Sequence, residues 1–182
     1  LTFEPYPKTP RLTKEVMVVT EKIDGTNAQI VFNENGDILT GSRNRVIVPG
    51  DDNYGFAAWA HERKEELFAV LGAGRHYGEW WGSGIQKRYA PHAPGKMFSL
   101  FNTARWLNDD PEKLRAVEGL SVVPVLYVGA FDSKAISLTM DTLKETGSVA
   151  CPGCDNPEGI IIYLPSTRKV YKRTYEYEES GK

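Results

Sequence analysis

Lys22 stands between two acids in "EKIDGTN", residues 21 to 27, three positions before a glycine. In an extended chain the two-residue period turns Lys22 and Asp24 to one face and Ile23 to the other. Gly25 then allows a bend where a side chain would obstruct a ligand. Alone, the heptapeptide also reads as a hairpin corner with a solvated charge pair. Polar residues elsewhere change that weight. Glu79 stands in "YGEWWG", Glu158 precedes the apolar run "GIIIY", Lys172 interrupts "VYKRTY", and Arg43 lies in "GSRNR". Single acids at strand ends are usually solvated, but together with Lys22 these residues make two carboxylates and three cations. Such a set can hold a nucleoside triphosphate with its metal.

Strands are needed to position the set. "VMVVT" (16–20) and "AQIVF" (28–32) flank the opening stretch as two strands around a corner. "NENGD" is a turn, and "DILTGS" returns from it as a third strand. Asn53 is placed to cap a helix over about 54–71, with Phe56, Ala60, Lys64, Leu67 and Leu71 at helical spacing. "RHYGEWW" and "KMFSLFN" read as strands, residues 111–118 as a short helix with Pro111 near its start. "SVVPVLYVG" reads as one strand whose proline implies an edge or a bulge. Ser133 caps a second helix through about residue 145, and "GIIIYL" and "KVYKRTY" are the last strands. Neighbouring Trp80 and Trp81 point to opposite faces of a strand, so only one is expected in the core. With no repeat, low-complexity tract or linker, residues 1–182 are expected to form a single α+β domain, an antiparallel sheet core with packed helices.

The 182 residues suffice for a core without staples, and their net charge is -2. No overall basic field advertises a polyanion partner, so any such site is a local patch. No apolar run approaches bilayer length and Leu1 begins no signal-peptide pattern, so no membrane partner and a cytoplasmic location are expected. Leu1 in place of Met leaves room for residues before it. "CPGC" (151–154) can be a tight turn into the Glu158 strand, a redox pair or half of a zinc site. His61, His76 and His92 are scattered and no second CxxC exists, which favours the turn.

Taken in order, these stretches resemble the nucleotidyltransferase (adenylation) domain of the ATP-dependent RNA ligases, in the superfamily shared with DNA ligases and mRNA capping enzymes. "KIDG" is similar to the KxDG nucleophile motif, and "EKIDGTN" is nearest the nick-sealing, phage-type branch. "GSRNR", "YGEWWGSGIQK", "KMFSLFN", "PEGIIIY" and "KVYKRT" resemble the five further motifs in family order, over nearly the whole chain. The resemblance implies an enzyme that uses ATP with Mg2+ or Mn2+ and seals RNA ends or nicks. It implies that Lys22 attacks the α-phosphorus to become lysyl-AMP and that Glu21 contacts adenine through its backbone. Asn27 would touch phosphate or a metal-bound water, Arg43 the ribose and later the RNA end, and Glu79 a ribose hydroxyl. Phe98 would stack on adenine, Glu158 would bind the metal and Lys172 would hold the α-phosphate.

The chemistry agrees with that casting. An ordinary lysine at neutral pH lies about 3.4 units below its pKa, so presenting a neutral amine costs about 4.6 kcal/mol. Asp24 favours the ammonium, whereas desolvation and nearby cations favour the amine. Arg43, Lys172 and a magnesium ion are the available cations, and the same charges would neutralise phosphate oxygens in the transition state. Phosphate contacts are expected to be few, grouped around Lys22, Arg43, Lys87, Arg88 and Lys172.

Two departures stand out. The family's last strand often carries two lysines one residue apart, and here the second position is Thr174, with Lys169 a candidate substitute. Only "YEYEESGK" follows that strand, so no OB-fold domain is expected in this sequence. Grip on the RNA would then come from this domain, an accessory protein or an absent part. A DNA ligase or GTP-using capping enzyme is the near alternative, and a binding module without turnover is the alternative from another class.

Overall fold

The computed structural model describes residues 1–9, 11, 15–108 and 111–176. Strand β1 (Val16–Lys22) and strand β2 (Thr26–Phe32) are joined by Ile23, Asp24 and Gly25 alone, yet belong to different sheets. After β2 the side chain of Asn33 accepts from the backbone N–H groups of Asn35 and Asp37, closing the turn into β3 (Ile38–Ser42). The short β4 (Val46–Ile47) follows.

The expected single helix is two, α1 (Phe56–Glu62) and α2 (Lys64–Leu71), because Arg63 leaves helical geometry at φ -108°, ψ 22°. The N-terminal end of α1, which begins after Gly55, is closed by the side chain of Asp52 rather than Asn53. The Asp52 carboxylate accepts from the N–H groups of Asn53, Ala57 and Ala58, while the Asn53 amide is turned to donate to Thr26 Oγ1 at 2.9 Å. Next come β5 (Gly74–Gly82), β6 (Lys96–Leu100), α3 (Thr103–Trp106) and α4 (Pro111–Arg115). The stretch read as one strand is two, β7 (Leu120–Val122) and β8 (Val125–Ala130), broken around Pro124. Helix α5 (Ser133–Thr146) is capped by Asp132, whose side chain accepts from Lys134 N–H, not by Ser133. Strands β9 (Gly159–Leu164) and β10 (Lys169–Thr174) complete the order.

The strands form a six-stranded sheet, β4-β3-β2-β5-β6-β7, and a four-stranded sheet, β10-β9-β1-β8. Every pairing is antiparallel except β6 with β7. β7 and β8 are edge strands of different sheets, so the proline that cannot donate sits where no ladder needs its N–H. Its carbonyl instead accepts from Glu21 N–H at 3.0 Å.

Three apolar clusters hold these layers. Ile30, Phe32, Trp80, Phe98 and Leu100 from one face of the large sheet pack with Phe56, Trp59 and Leu67 of α1 and α2. Met17, Val19, Ile160 and Ile162 pack with Ile136, Met140 and Leu143, which lie at helical spacing on α5. A smaller cluster of Ile23, Trp81, Tyr89, Val123, Cys151 and Cys154 fills the junction between the sheets. Trp80 and Trp81 are therefore both buried, at 1% and 2% exposure, each in a different cluster. The expectation of one core tryptophan fails because both faces of β5 are covered at that point. No helix among the described residues is long and apolar enough to cross a membrane.

Candidate active site at the junction of the sheets

β1 delivers Lys22 to the junction and β9 begins beside it. Lys22 pairs with Gly159, and its Nζ lies 2.5 Å from Glu158 Oε1. Both side chains are about four-fifths buried, which strengthens their attraction relative to a surface pair. The other oxygen, Glu158 Oε2, is buried with no hydrogen-bond partner. Lys172 reaches the same face by register: Thr20, Ile161 and Lys172 pair in a row across β1, β9 and β10. Lys172 is exposed there, one row from Lys22. Thr174 lies in Lys22's own row, through Gly159, so a neutral hydroxyl stands where the resemblance expects a second lysine. Lys169 does not substitute for it, because an odd offset along β10 turns its side chain to the other face.

The large sheet supplies the remaining polar groups. Asn27, Glu79 and Ser99 pair across β2, β5 and β6 and share one face. Asn27 Nδ2 donates to Glu79 Oε2 at 2.8 Å, and Arg43 Nε donates to Asn27 Oδ1 at 2.9 Å. Burial lifts the Glu79 carboxyl from about 4.5 to about 7, against the Asn27 hydrogen bond and the Lys22 and Arg43 charges. Glu158 adds to the rise, so the two carboxylates and Lys22 are electrostatic neighbours across the junction.

That perturbation carries a pH signature. A carboxyl with a raised pKa holds its proton longer in the folded chain, so stability falls as pH rises from about 4.5 to about 7 and levels off above. The full difference is up to about 3 kcal/mol. Glu79→Gln should match the wild type near pH ~4.5 and exceed its stability at pH ~8 by up to that amount. Urea unfolding across this range measures it. Parallel stability curves for the two proteins would show that Glu79 titrates ordinarily.

Phe98 requires a correction. Its partner in register is Trp80, not Glu79, and its side chain is fully buried in the large core, 4.9 Å from the Phe56 ring. It faces away from Asn27 and Glu79 and cannot stack on a nucleotide bound beside them. Met97 and Ser99 hold the site-facing positions of β6, with Trp81 Nε1 donating to Ser99 Oγ.

Glu21 turns to the opposite side of β1 from Lys22. Its carboxylate is 1% exposed and accepts from Tyr89 Oη, Ser148 Oγ, and the backbone N–H groups of Val149 and Ala150, all within 2.9 Å. Tyr89 Oη also lies 3.4 Å from Glu158 N–H, tying Glu21 to the start of the Glu158 strand. Burial and the Glu21 carboxylate both push the Tyr89 hydroxyl up, keeping it a neutral donor. The CxxC is a tight turn, Cys154 N–H to Cys151 O at 3.0 Å, with both thiols buried and pushed up by burial. Arg88 is also removed from the expected phosphate patch. It reaches Asp24 at 3.7 Å, Asn156 Oδ1 at 3.0 Å and Glu176 at 2.6 Å, fixing the loop after the lysine. Tyr89, Ser148 and Arg88 carry no sequence signal of these roles, since their partners are distant in the chain.

Gly25 is explained by contact rather than by bending. A Cβ there would come within 2.7 Å of Trp81 Cβ and closer still to Trp80 O, so only glycine lets the loop press against β5.

The RNA ligase family model matches residues 15–174. No curated protein matches the chain. Among solved structures, a variant of Naegleria gruberi RNA ligase with ATP and Mn superposes with a TM-score of 0.62 at 16% identity, covering 93% of this chain and 52% of that one. A second variant with ATP and Mn gives 0.64 at 18%, with 93% and 52% covered, and an apo variant 0.63 at 18%, with 94% and 52%. The chain thus spans about half the length of these proteins, whose likeness establishes the shared fold. The family match runs from just before β1 to the end of β10, taking in Lys22, Arg43, Glu79, Glu158 and Lys172, and on that ground the chain belongs to the RNA ligase family.

Proposed function

We propose that the chain is the adenylylating part of an ATP-dependent RNA ligase, with Lys22 as nucleophile. The observation that carries this reading is the Lys22–Glu158 pair at 2.5 Å, set against Glu79 on the facing sheet. The Lys22 amine attacks the α-phosphorus of ATP, a P–N bond forms, the bond to the β-phosphate oxygen breaks, and pyrophosphate leaves. Glu158 Oε1 is the nearest acceptor for the proton that Lys22 must release. Arg43 and Lys172 offset the phosphate charge that builds during attack, and the Asn27–Glu79 pair offers polar groups to the ribose. In the second and third steps AMP passes to a 5′-phosphate and a 3′-hydroxyl displaces it, sealing the ends.

Glu158 fits a divalent cation, because Oε2 is buried and unpartnered and a carboxylate is a hard oxygen ligand. Among the described residues no group of three or more His, Cys, Asp or Glu could hold a metal by itself. Glu158 would help hold such a cation, which would supply positive charge to offset the phosphates of ATP. The ATP, AMP and Mn of the Naegleria structures support ATP with Mg2+ or Mn2+ as the pair used here.

Incubation with radiolabelled ATP and a divalent cation, followed by a denaturing gel, tests the reading. A labelled, acid-labile and alkali-stable protein band is expected, as for a P–N bond. Labelling from GTP instead would mark capping chemistry, and no label from either would mark a binding module.

A further inference from the structure

On the face that carries Asn27 and Glu79, the next cross-strand row runs Gln29, Tyr77 and Phe101. Gln29 pairs with Tyr77, and Phe101 N–H donates to Tyr77 O at 3.0 Å. Both rings are large and open to solvent, Tyr77 at 50% and Phe101 at 42% exposure. They line a cavity of about 410 Å³ together with Asn27, Gln29, Ser42 and Arg43. No carboxylate lines it. One row further out, Arg75 donates to Gln29 Oε1 at 3.1 Å and holds its guanidinium 6.0 Å from the Tyr77 ring. Two aromatic faces are therefore bracketed by Arg43 on the active-site side and Arg75 on the outer side.

Aromatic rings between arginines match one ligand chemistry closely. An unpaired nucleobase stacks on rings of any kind, while the phosphates on either side of it pair with guanidinium groups. A duplex end presents its bases already stacked and paired, and offers these rings little. We infer that this groove holds an unpaired nucleotide of the RNA strand being joined, stacked on Tyr77 and Phe101 with its phosphates toward Arg43 and Arg75. The groove is continuous with the Glu79–Asn27–Arg43 row, so a strand lying in it would run directly to the junction. The inference rests on the RNA-ligase reading, but turns on Tyr77, Phe101 and Arg75, none of which the proposed AMP transfer uses.

The test uses the full chain and a fluorescein-labelled, 5′-phosphorylated single-stranded RNA of about 12 nucleotides, in the size range that single-strand-binding domains cover. Fluorescence anisotropy gives the affinity, and labelled ATP gives AMP transfer in parallel. Tyr77→Ala and Phe101→Ala should each weaken RNA binding by about five- to a hundredfold, the range for loss of one base–aromatic stack. Tyr77→Phe should restore binding. Arg75→Gln should flatten the salt dependence by roughly 0.7 in log–log slope, one single-strand phosphate contact. The same RNA in a blunt duplex should compete poorly. Wild-type affinity in both alanine variants, with circular dichroism showing them folded, would overturn the inference while leaving lysyl-AMP formation standing. Equal loss of AMP transfer would place the rings in the nucleotide site, and a changed oligomeric state would make the face a protein contact; either overturns it. Absence of any AMP adduct in the wild type defeats the RNA-ligase reading itself and the inference with it.

Discussion

Lys22→Ala should fold as the wild type does and transfer no detectable AMP from ATP. The side chain ends in an ion pair rather than in a packed core, so its removal deletes chemistry more than structure. Loss of the nucleophile in a covalent mechanism costs far more than loss of a group that stabilises charge, at least about a thousandfold here. Lys22→Arg is the sharper version. It keeps a cation for Glu158, yet a guanidinium is never neutral near pH ~7 and cannot attack. Both variants should therefore give blank gels with labelled ATP, Lys22→Arg melting close to the wild-type temperature and Lys22→Ala below it, because alanine leaves the largely buried Glu158 carboxylate unpaired. A labelled band from either, at the wild-type rate, would assign the nucleophile to another residue, with Lys172 the first candidate because it shares the face and lies one row away.

Phe98→Ala should be strongly destabilising, unlike a change at a nucleotide-stacking surface ring. The ring is fully buried against Phe56 and Trp59, and it lies over the bare Cα of Gly78, where an added Cβ would fall 2.5 Å from a ring carbon. Removing it leaves a cavity that neighbouring β-strands cannot close, for a loss of about 3–5 kcal/mol. Phe98→Tyr should also destabilise, since its hydroxyl would enter an apolar cluster without a partner. The midpoint of urea unfolding measures both. AMP transfer by the folded fraction should persist at low temperature. Unchanged stability combined with weakened ATP use would return Phe98 to the nucleotide site.

These two residues also show why some of the site was legible and some was not. Lys22, Glu79 and Glu158 break apolar strand patterns, and a charged group inside such a pattern needs a reason that sequence alone can pose. Phe98 was misassigned because "KMFSLFN" has aromatics at positions of opposite parity. Which of them faces the site depends on the pairing of Glu79 with Ser99, a relation between strands that no local pattern contains. Trp80 and Trp81 failed as an alternation argument for a related reason: the junction cluster covers the second face of β5 only where the two sheets meet. The Glu21 carboxylate was wholly hidden, since its donors Ser148, Val149 and Ala150 lie more than a hundred residues away. The helix caps failed more narrowly. Asp52 and Asp132 each lie one residue before the residue expected to cap.

The three-residue link between β1 and β2 and the crossing from β7 to β8 around Pro124 both stitch one sheet to the other at the same junction. Two short covalent ties set side by side define an axle. Any swing of the small sheet against the large one must turn about that line, and each atom travels in proportion to its distance from it. Lys22 lies at the line itself, so its Nζ hardly travels. Tyr77 and Arg75, two and three rows outward along β5, sit at the end of the lever arm. The shortest covalent paths between the sheets therefore run beside Lys22, and the Tyr77 and Arg75 rim is the part of the large sheet farthest from them.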